Sequence, residues 1–471
     1  TFVDRKGRTR LSWARVEEMA VGALGQSCHV SETLDDAKSI EGAIDGDIVL
    51  VKSPPSIWVF SVQAIVSPND VTVSESSGSA PLFLEMASGT IEAPANSSLT
   101  THPQSIACFE VKVPSDFPRI NDALDYLRRF KPGSNTWVDI LLEDGFVMEE
   151  QVFVSAENLG WVTIFAVDND RTININGPSL TENRTQGVYG VVTRAAFTVV
   201  QGGQGPRIGC KFNMVNGGAP ELRRIGLFVS GPGSGCNMMN FRAFTNCGDT
   251  GVYANRGAYI NCYGVDVSGC GAYGVYANRA TMDAQQVNAD DCGGKGILAL
   301  YNAKITAIGG SAVGSGVRAS FSSEIVFSDG VATDCSGSAI NADQGSKVIA
   351  NNADASGASG VFGRGVDSQR GSVIVFGGGK ANDCSQYGIH AAFKGEVFAR
   401  ECEAKRAGMA GVQASSGGNI DIGSSDARRV DGETGSQDIR VLSGGYITAV
   451  GADGGTNVTP LEIGLSGIII K

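Results

Sequence analysis

"TNCGDTGVYANRGAYINCYGVDVSGCGAYGVYANRA", residues 245–280, writes Cys-Gly-x-x-Gly-Val-Tyr-Ala-Asn-Arg from Cys247 and again from Cys270. An anchor on the residue before each recurring Val or Ile extends the pair to Gly226, Gly251, Gly274, Gly296, Gly316, Ala339, Gly360, Gly388 and Gly411, at intervals of 25, 23, 22, 20, 23, 21, 28 and 23. A period in the low twenties means stacked supersecondary units, none of which buries its apolar stripe alone. From Gly251 onward the anchors are followed by Val252, Val275, Ile297, Val317, Ile340, Val361, Ile389 and Val412, and two residues later by Ala254, Ala277, Ala299, Ala319, Ala342, Gly363, Ala391 and Ala414. Between these columns stand Tyr253, Tyr276, Leu298, Arg318, Asn341, Phe362, His390 and Gln413. Apolar, variable, small is the period-2 signature of a strand with one buried face.

A second strand follows in each unit, with Ile260, Met282, Ile305, Ile325, Val348, Val397 and Ile420 inward and Asn261, Asp283, Thr306, Val326, Ile349, Phe398 and Asp421 outward. Short strands at this period, separated by Gly, Asn, Asp and Ser turns, predict an all-β fold: a right-handed parallel β-helix of about 20–25 residues per coil, with rungs about 4.8 Å apart. Cys247, Cys270, Cys292, Cys335 and Cys384 all stand four residues before an anchor, a column of small residues at one corner. They read as buried reduced thiols. Rung spacing also falls within the range a disulfide accepts, so a Cys247–Cys270 bridge stays open.

Before the coils, Ile120, Ala123, Leu124 and Leu127 form the apolar stripe of a helix over about 118–131, which would cover the open end of the stack. The chain divides into a β-rich region at 1–110, the β-helix at 111–435 and weaker closing coils at 436–471, whose apolar "GIIIK" suits either a subunit contact or closure of the last coil. Residues 1–110 carry one short helix around Ser12–Ala23 and strands in "GDIVLVK" and "IWVFSVQAIV".

Composition narrows the function. A net charge of −12 argues against nucleic acid, whose phosphates need clustered cations. No run approaches the length of a membrane span, and the N-terminal residues lack the apolar core of an export signal, so the chain reads as soluble. Eleven cysteines without a CxxC pair and three histidines predict no metal site, and no cofactor motif stands out. The glycines of "GGQGPRIG" at Gly202 lack the flanking strand and helix of a nucleotide loop.

"FPRINDALDYLRRF" at 117–130, followed by "GFVMEEQVFVSAENLGWVTI" at 145–164, resembles the start of the β-helix in bacteriophage tailspike and tail-fibre proteins. Pectate lyases and bacterial adhesins share the coil logic. The resemblance implies a homotrimer on a virion, assembled in the bacterial cytoplasm and acting outside the cell. It further implies attachment to other virion proteins through residues 1–110 and recognition of host surface polysaccharide. Two alternatives stay open: a glycan depolymerase, hydrolase or lyase, on the same coils, and a purely structural head, neck or tail fibre. No C-terminal trimerisation domain and no known attachment domain is recognisable.

Glycosidases need two carboxylates. The outward candidates are Asp266 with Asp290 or Asp291, one rung apart, and Asp283 with Glu324, two coils apart. Asp290, Asp291 and Lys295 form a thin version of a calcium-dependent lyase site. Asp is also a preferred turn residue, which explains many of these positions without catalysis. All four tryptophans precede the regular coils, so the expected sugar platform is Tyr253, Tyr276, Tyr259, Tyr263 and Tyr273. His390 reads as a surface residue of the variable column.

Overall fold

A computed structural model describes residues 109–471 except 131, 133–136, 169, 181–193, 219–222, 428–436, 454–467 and 471, together with seven strand segments before residue 109. The chain forms two compact units, Thr1–Cys108 with Phe130–Thr136, and Phe109–Arg129 with Trp137–Lys471. The first holds a five-stranded sheet in the order Cys28–Thr33, Ile48–Ser53, Pro55–Ser61, Leu82–Met86 and Val73–Glu75, parallel in its first pair and antiparallel after it. Two of these strands come from "GDIVLVK" and "IWVFSVQAIV"; the helix expected around Ser12–Ala23 lies outside the described residues.

The second unit is a right-handed parallel β-solenoid of about twelve turns. One long sheet runs through twelve parallel strands from Val152–Ser155 to Gln437–Val441, and a second through eleven from Gly235–Asn237 to Ile468–Ile470. A third face is a ladder of single-residue bridges, Ala243 to Asp266, Asn288, Ser311 and on to Asp453. Val252, Val275, Ile297, Val317 and Ile340 stack in register in the long sheet and are fully buried. Ile260, Met282, Ile305, Ile325 and Val348 do the same in the second sheet. Each coil thus contributes like shapes to one continuous core.

The register corrects one column. Ile340 pairs with Val366, and Val366 with Ile389, so the anchor between Ala339 and Gly388 is Gly365 rather than Gly360. Val361 and Phe362, read as strand residues, instead protrude on an inserted segment with 77% and 65% exposure. Asp367 takes the outward position and Ser368 the inward one.

The long sheet turns into the second through a residue in left-handed conformation on every coil: Arg279, Tyr301, Phe321, Gln344, Arg370, Phe393 and Ser416 have φ between 49° and 56°. Such a residue costs roughly 1–2 kcal/mol when it is not glycine. Inter-coil hydrogen bonds offset this, as where Arg279 N–H donates to Leu300 O at 3.0 Å.

The helix Ile120–Leu127 buries Ile120, Ala123, Leu124 and Leu127 against Phe109–Val113 and Val152–Ser155, the outermost strands of their sheets. Its free N-terminal amides are met by Glu150, which accepts from Ile120 N–H at 2.6 Å. At the far end Ile468–Ile470 pairs with Tyr446–Thr448, so the apolar tail continues the second sheet. The nine cysteines from Cys210 to Cys402 are buried free thiols. Among the described residues no helix is long and apolar enough to cross a membrane, and no three His, Cys, Asp or Glu side chains are grouped to hold a metal.

Candidate active site

Strand alternation sends Arg318, Asn341, Asp367, His390 and Gln413 outward from five successive coils of the long sheet, each opposite the next. Outward residues of a solenoid normally meet water. Asp367, His390 and Gln413 do not, with exposures of 3%, 4% and 4%. Tyr387 lies flat against the His390 ring, centroids 5.1 Å apart, and the Arg364 guanidinium sits 5.6 Å above Tyr387. These residues floor and wall a cleft of about 570 Å³, with the exposed rings of Phe362 and Phe393 also lining it.

At its centre His390 Nδ1 lies 2.8 Å from Asp367 Oδ1. Asp367 Oδ2 accepts from Gln369 at 2.8 Å, Arg364 at 3.0 Å and Ser338 at 3.3 Å. Burial by itself would raise the Asp367 carboxyl, but the His390 hydrogen bond and the Arg364 charge hold it below its ordinary value. An ionised Asp367 accepts a hydrogen bond from Nδ1–H, which makes Nε2 the ring nitrogen that carries the lone pair. Nε2 faces Ser415 Oγ at 3.4 Å.

Four cations, Lys295, Arg318, Arg364 and Arg370, share the cleft with two carboxylates, Asp343 and Asp367, a local charge of +2 on a chain of −12. Arg370 and Arg318 approach Asp343 at 3.0 and 3.6 Å. Lys295 donates to Ser338 O at 2.8 Å, and burial pushes its ammonium below the ordinary value. Two buried acceptors, Asp343 Oδ1 and Gln413 Oε1, have no hydrogen-bond partner. An unmet buried acceptor costs about 1–3 kcal/mol.

The carboxylates singled out from sequence lie elsewhere and do not converge. Asp266 bridges to Asn288, not to Asp290, and its carboxylate accepts from Ser268 N–H. Asp290 is taken by Ser311 Oγ and Val313 N–H at 2.6 and 2.7 Å, while Asp291 occupies an exposed corner with φ 53°. Asp283 accepts from Gln285 and is in register with Thr306, whereas Glu324 is in register with Lys304 and lies between Lys304 and Lys347. Asp283 and Glu324 thus stand in different columns, each engaged by neighbouring side chains.

The tyrosines divide. Tyr253 and Tyr276 stack at 4.3 Å with Tyr273 beside them on the long sheet, but they are half-buried rather than exposed. Tyr259 belongs to the second sheet and Tyr263 to the turn after it. His390, read as a surface residue, is buried in its pair with Asp367.

A family model described as the right-handed beta helix region matches residues 284–427, a span that holds every cleft residue named above. Among solved structures, a mutant of the periplasmic alginate epimerase AlgG is similar at 10% identity over 77% of this chain and 84% of that one, with a TM-score of 0.43. Pectate lyase Pel9A is similar at 12% identity over 74% and 79%, with a TM-score of 0.35. The enzymatically active domain of bacteriophage CBA120 tailspike protein 4 is similar at 13% identity over 100% of this chain and 59% of that one, with a TM-score of 0.42. The likeness is one of coil architecture. No curated protein matches the sequence.

Proposed function

We propose that the cleft of the long sheet binds an acidic polysaccharide and processes it, with His390 as the proton-transferring group. The observation that carries this is the buried Asp367–His390 pair at the floor of an open cleft of opposite charge to the rest of the chain. A buried carboxylate and its hydrogen-bonded imidazole under an open surface cost desolvation that a structural rung of Val or Ala would avoid. Its orientation suits acid–base work, which contributes typically ~10²–10⁴ in rate. The excess cations would meet carboxylate or sulfate groups of the polymer. The setting we propose is a homotrimeric spike of a phage or phage-like particle, attached to other virion proteins through residues 1–110 and meeting host surface polysaccharide. The coil architecture and the segment 117–164 support that setting.

The test is a panel of acidic and neutral bacterial surface polysaccharides, followed for retention and for covalent change, with wild type and His390→Ala. Acidic polymers should be retained by both proteins and altered by wild type alone. Equal retention of neutral and acidic polymers, or unchanged processing by His390→Ala, would overturn it.

A further inference from the structure

Three successive coils supply Asp367, His390 and Ser415, and the proton path through them continues past the histidine. Asp367 Oδ1 to His390 Nδ1 is 2.8 Å, and His390 Nε2 to Ser415 Oγ is 3.4 Å. Ser415 ends the strand Ala410–Ser415, pairs with Ala392, and is only partly buried at the cleft wall. Because the Asp367 carboxylate accepts a hydrogen bond from Nδ1–H, Nε2 is the acceptor for the serine hydroxyl. An acid that fixes the tautomer, a base between, and a reachable hydroxyl are recognised as a nucleophile relay by geometry and not by chain order.

We infer that Ser415, His390 and Asp367 form a nucleophile, base and orienting acid that hydrolyse a carboxylic ester borne by an acidic polysaccharide. The ester class follows from the chemistry of an activated serine, and the acidic carrier rests on the function proposed above. Ser415 Oγ attacks the ester carbonyl carbon while its proton passes to His390 Nε2. The ester C–O bond then breaks, the alkoxide leaves with that proton as an alcohol, and the acyl group stays on Ser415. Water attacks the acyl-serine, His390 takes its proton and returns it to Oγ, and a carboxylic acid departs. Water is the only co-reactant. The tetrahedral intermediate carries a negative oxygen, which the +2 cleft favours over neutral surroundings.

The full chain is treated with a fluorophosphonate probe and the adduct mapped by peptide mass. In parallel, acetate is measured from an O-acetylated acidic polysaccharide and methanol from a methyl-esterified one, and retention is measured on the unesterified polymer. Ser415 should carry the adduct and one of the two products should appear. Ser415→Ala should lose both while retaining polymer, with its circular dichroism unchanged. Asp367→Asn should label at least ~100-fold more slowly. In Ser415→Cys an alkylating probe should react at residue 415 faster than at the buried cysteines. An unlabelled Ser415 with no ester cleavage overturns the relay, and retained polymer in that same experiment leaves the binding function standing. Labelling and small-ester cleavage without polymer retention upholds the relay and removes the proposed carrier.

Discussion

Asp367 and His390 oppose each other across one rung of the long sheet, both with at most 4% exposure, joined Oδ1 to Nδ1 at 2.8 Å. Asp367→Asn keeps the shape and removes the charge that selects the histidine tautomer. Processing should fall by ~10²–10⁴ in kcat/KM with polymer retention kept. The stability effect has a defined pH sign. The folded Asp367 carboxyl lies below its ordinary 3.8, so its contribution is fully present above that value and is lost as pH falls through the folded one. Urea unfolding of wild type and Asp367→Asn should therefore differ at neutral pH and converge as the medium is made acid enough to protonate the folded carboxyl. A gap that persists undiminished in acid would show that the charge is not its source.

Gln413 holds a buried amide oxygen without a partner. Gln413→Met keeps the side-chain length and removes that acceptor, which should stabilise the fold by about 1 kcal/mol and leave polymer retention unchanged, because the oxygen is closed to solvent. Differential scanning calorimetry and a retention assay read the two effects separately. Loss of stability would mean that the amide is satisfied in the folded protein.

Phe362 is 65% exposed on the inserted segment, and Phe393 is 57% exposed at the opposite corner of the rung. Flat exposed rings beside a polar cleft suit stacking of sugar faces. Phe362→Ala should weaken polymer binding about tenfold, or ~1.4 kcal/mol, with no change in thermal midpoint. Isothermal titration decides it, and unchanged affinity would place the sugar elsewhere.

Burial pushes the Cys384 thiol up to about 12 and those of Cys335 and Cys402 up to about 11. At pH near 8 these side chains should resist alkylation in the native protein and react fully once unfolded. Peptide mapping after iodoacetamide treatment tests this residue by residue. Rapid native labelling of Cys384 would mean that the corner column is open to solvent.

The inward columns were legible because every coil faces the same steric demand, so Val252, Val275 and Ile297 betray their register by likeness alone. Tyr253 and Tyr276 fall in one column of adjacent coils by the same likeness, but that they stack half-buried is visible only in the structure. Tyr259 lies beyond the left-handed corner at Arg256, and a list of nearby tyrosines does not show that the chain has turned onto another face. The cleft was hidden by a single slip. Anchoring on Gly360 puts Phe362 where Asp367 belongs and so hides the neighbour of His390. The irregular 21- and 28-residue intervals were the available sign, and Gly365 changes them to 26 and 23. Burial of a charged outward column was not readable, because it depends on how Tyr387 stacks on His390 and Arg364 on Tyr387, contacts that the identity of the residues in a column does not reveal.

One residue per turn has a consequence for how the molecule must wind. Asp367, His390 and Ser415 meet only if three consecutive turns close with neither a turn skipped nor one gained. A chain that slipped by a whole turn would still stack valine on isoleucine and alanine on alanine, and its circular dichroism would hardly change. Its relay would be broken into parts facing strangers. Catalytic competence would then act as a proofreader of winding, separating the true spiral from near copies that stability measurements cannot tell apart.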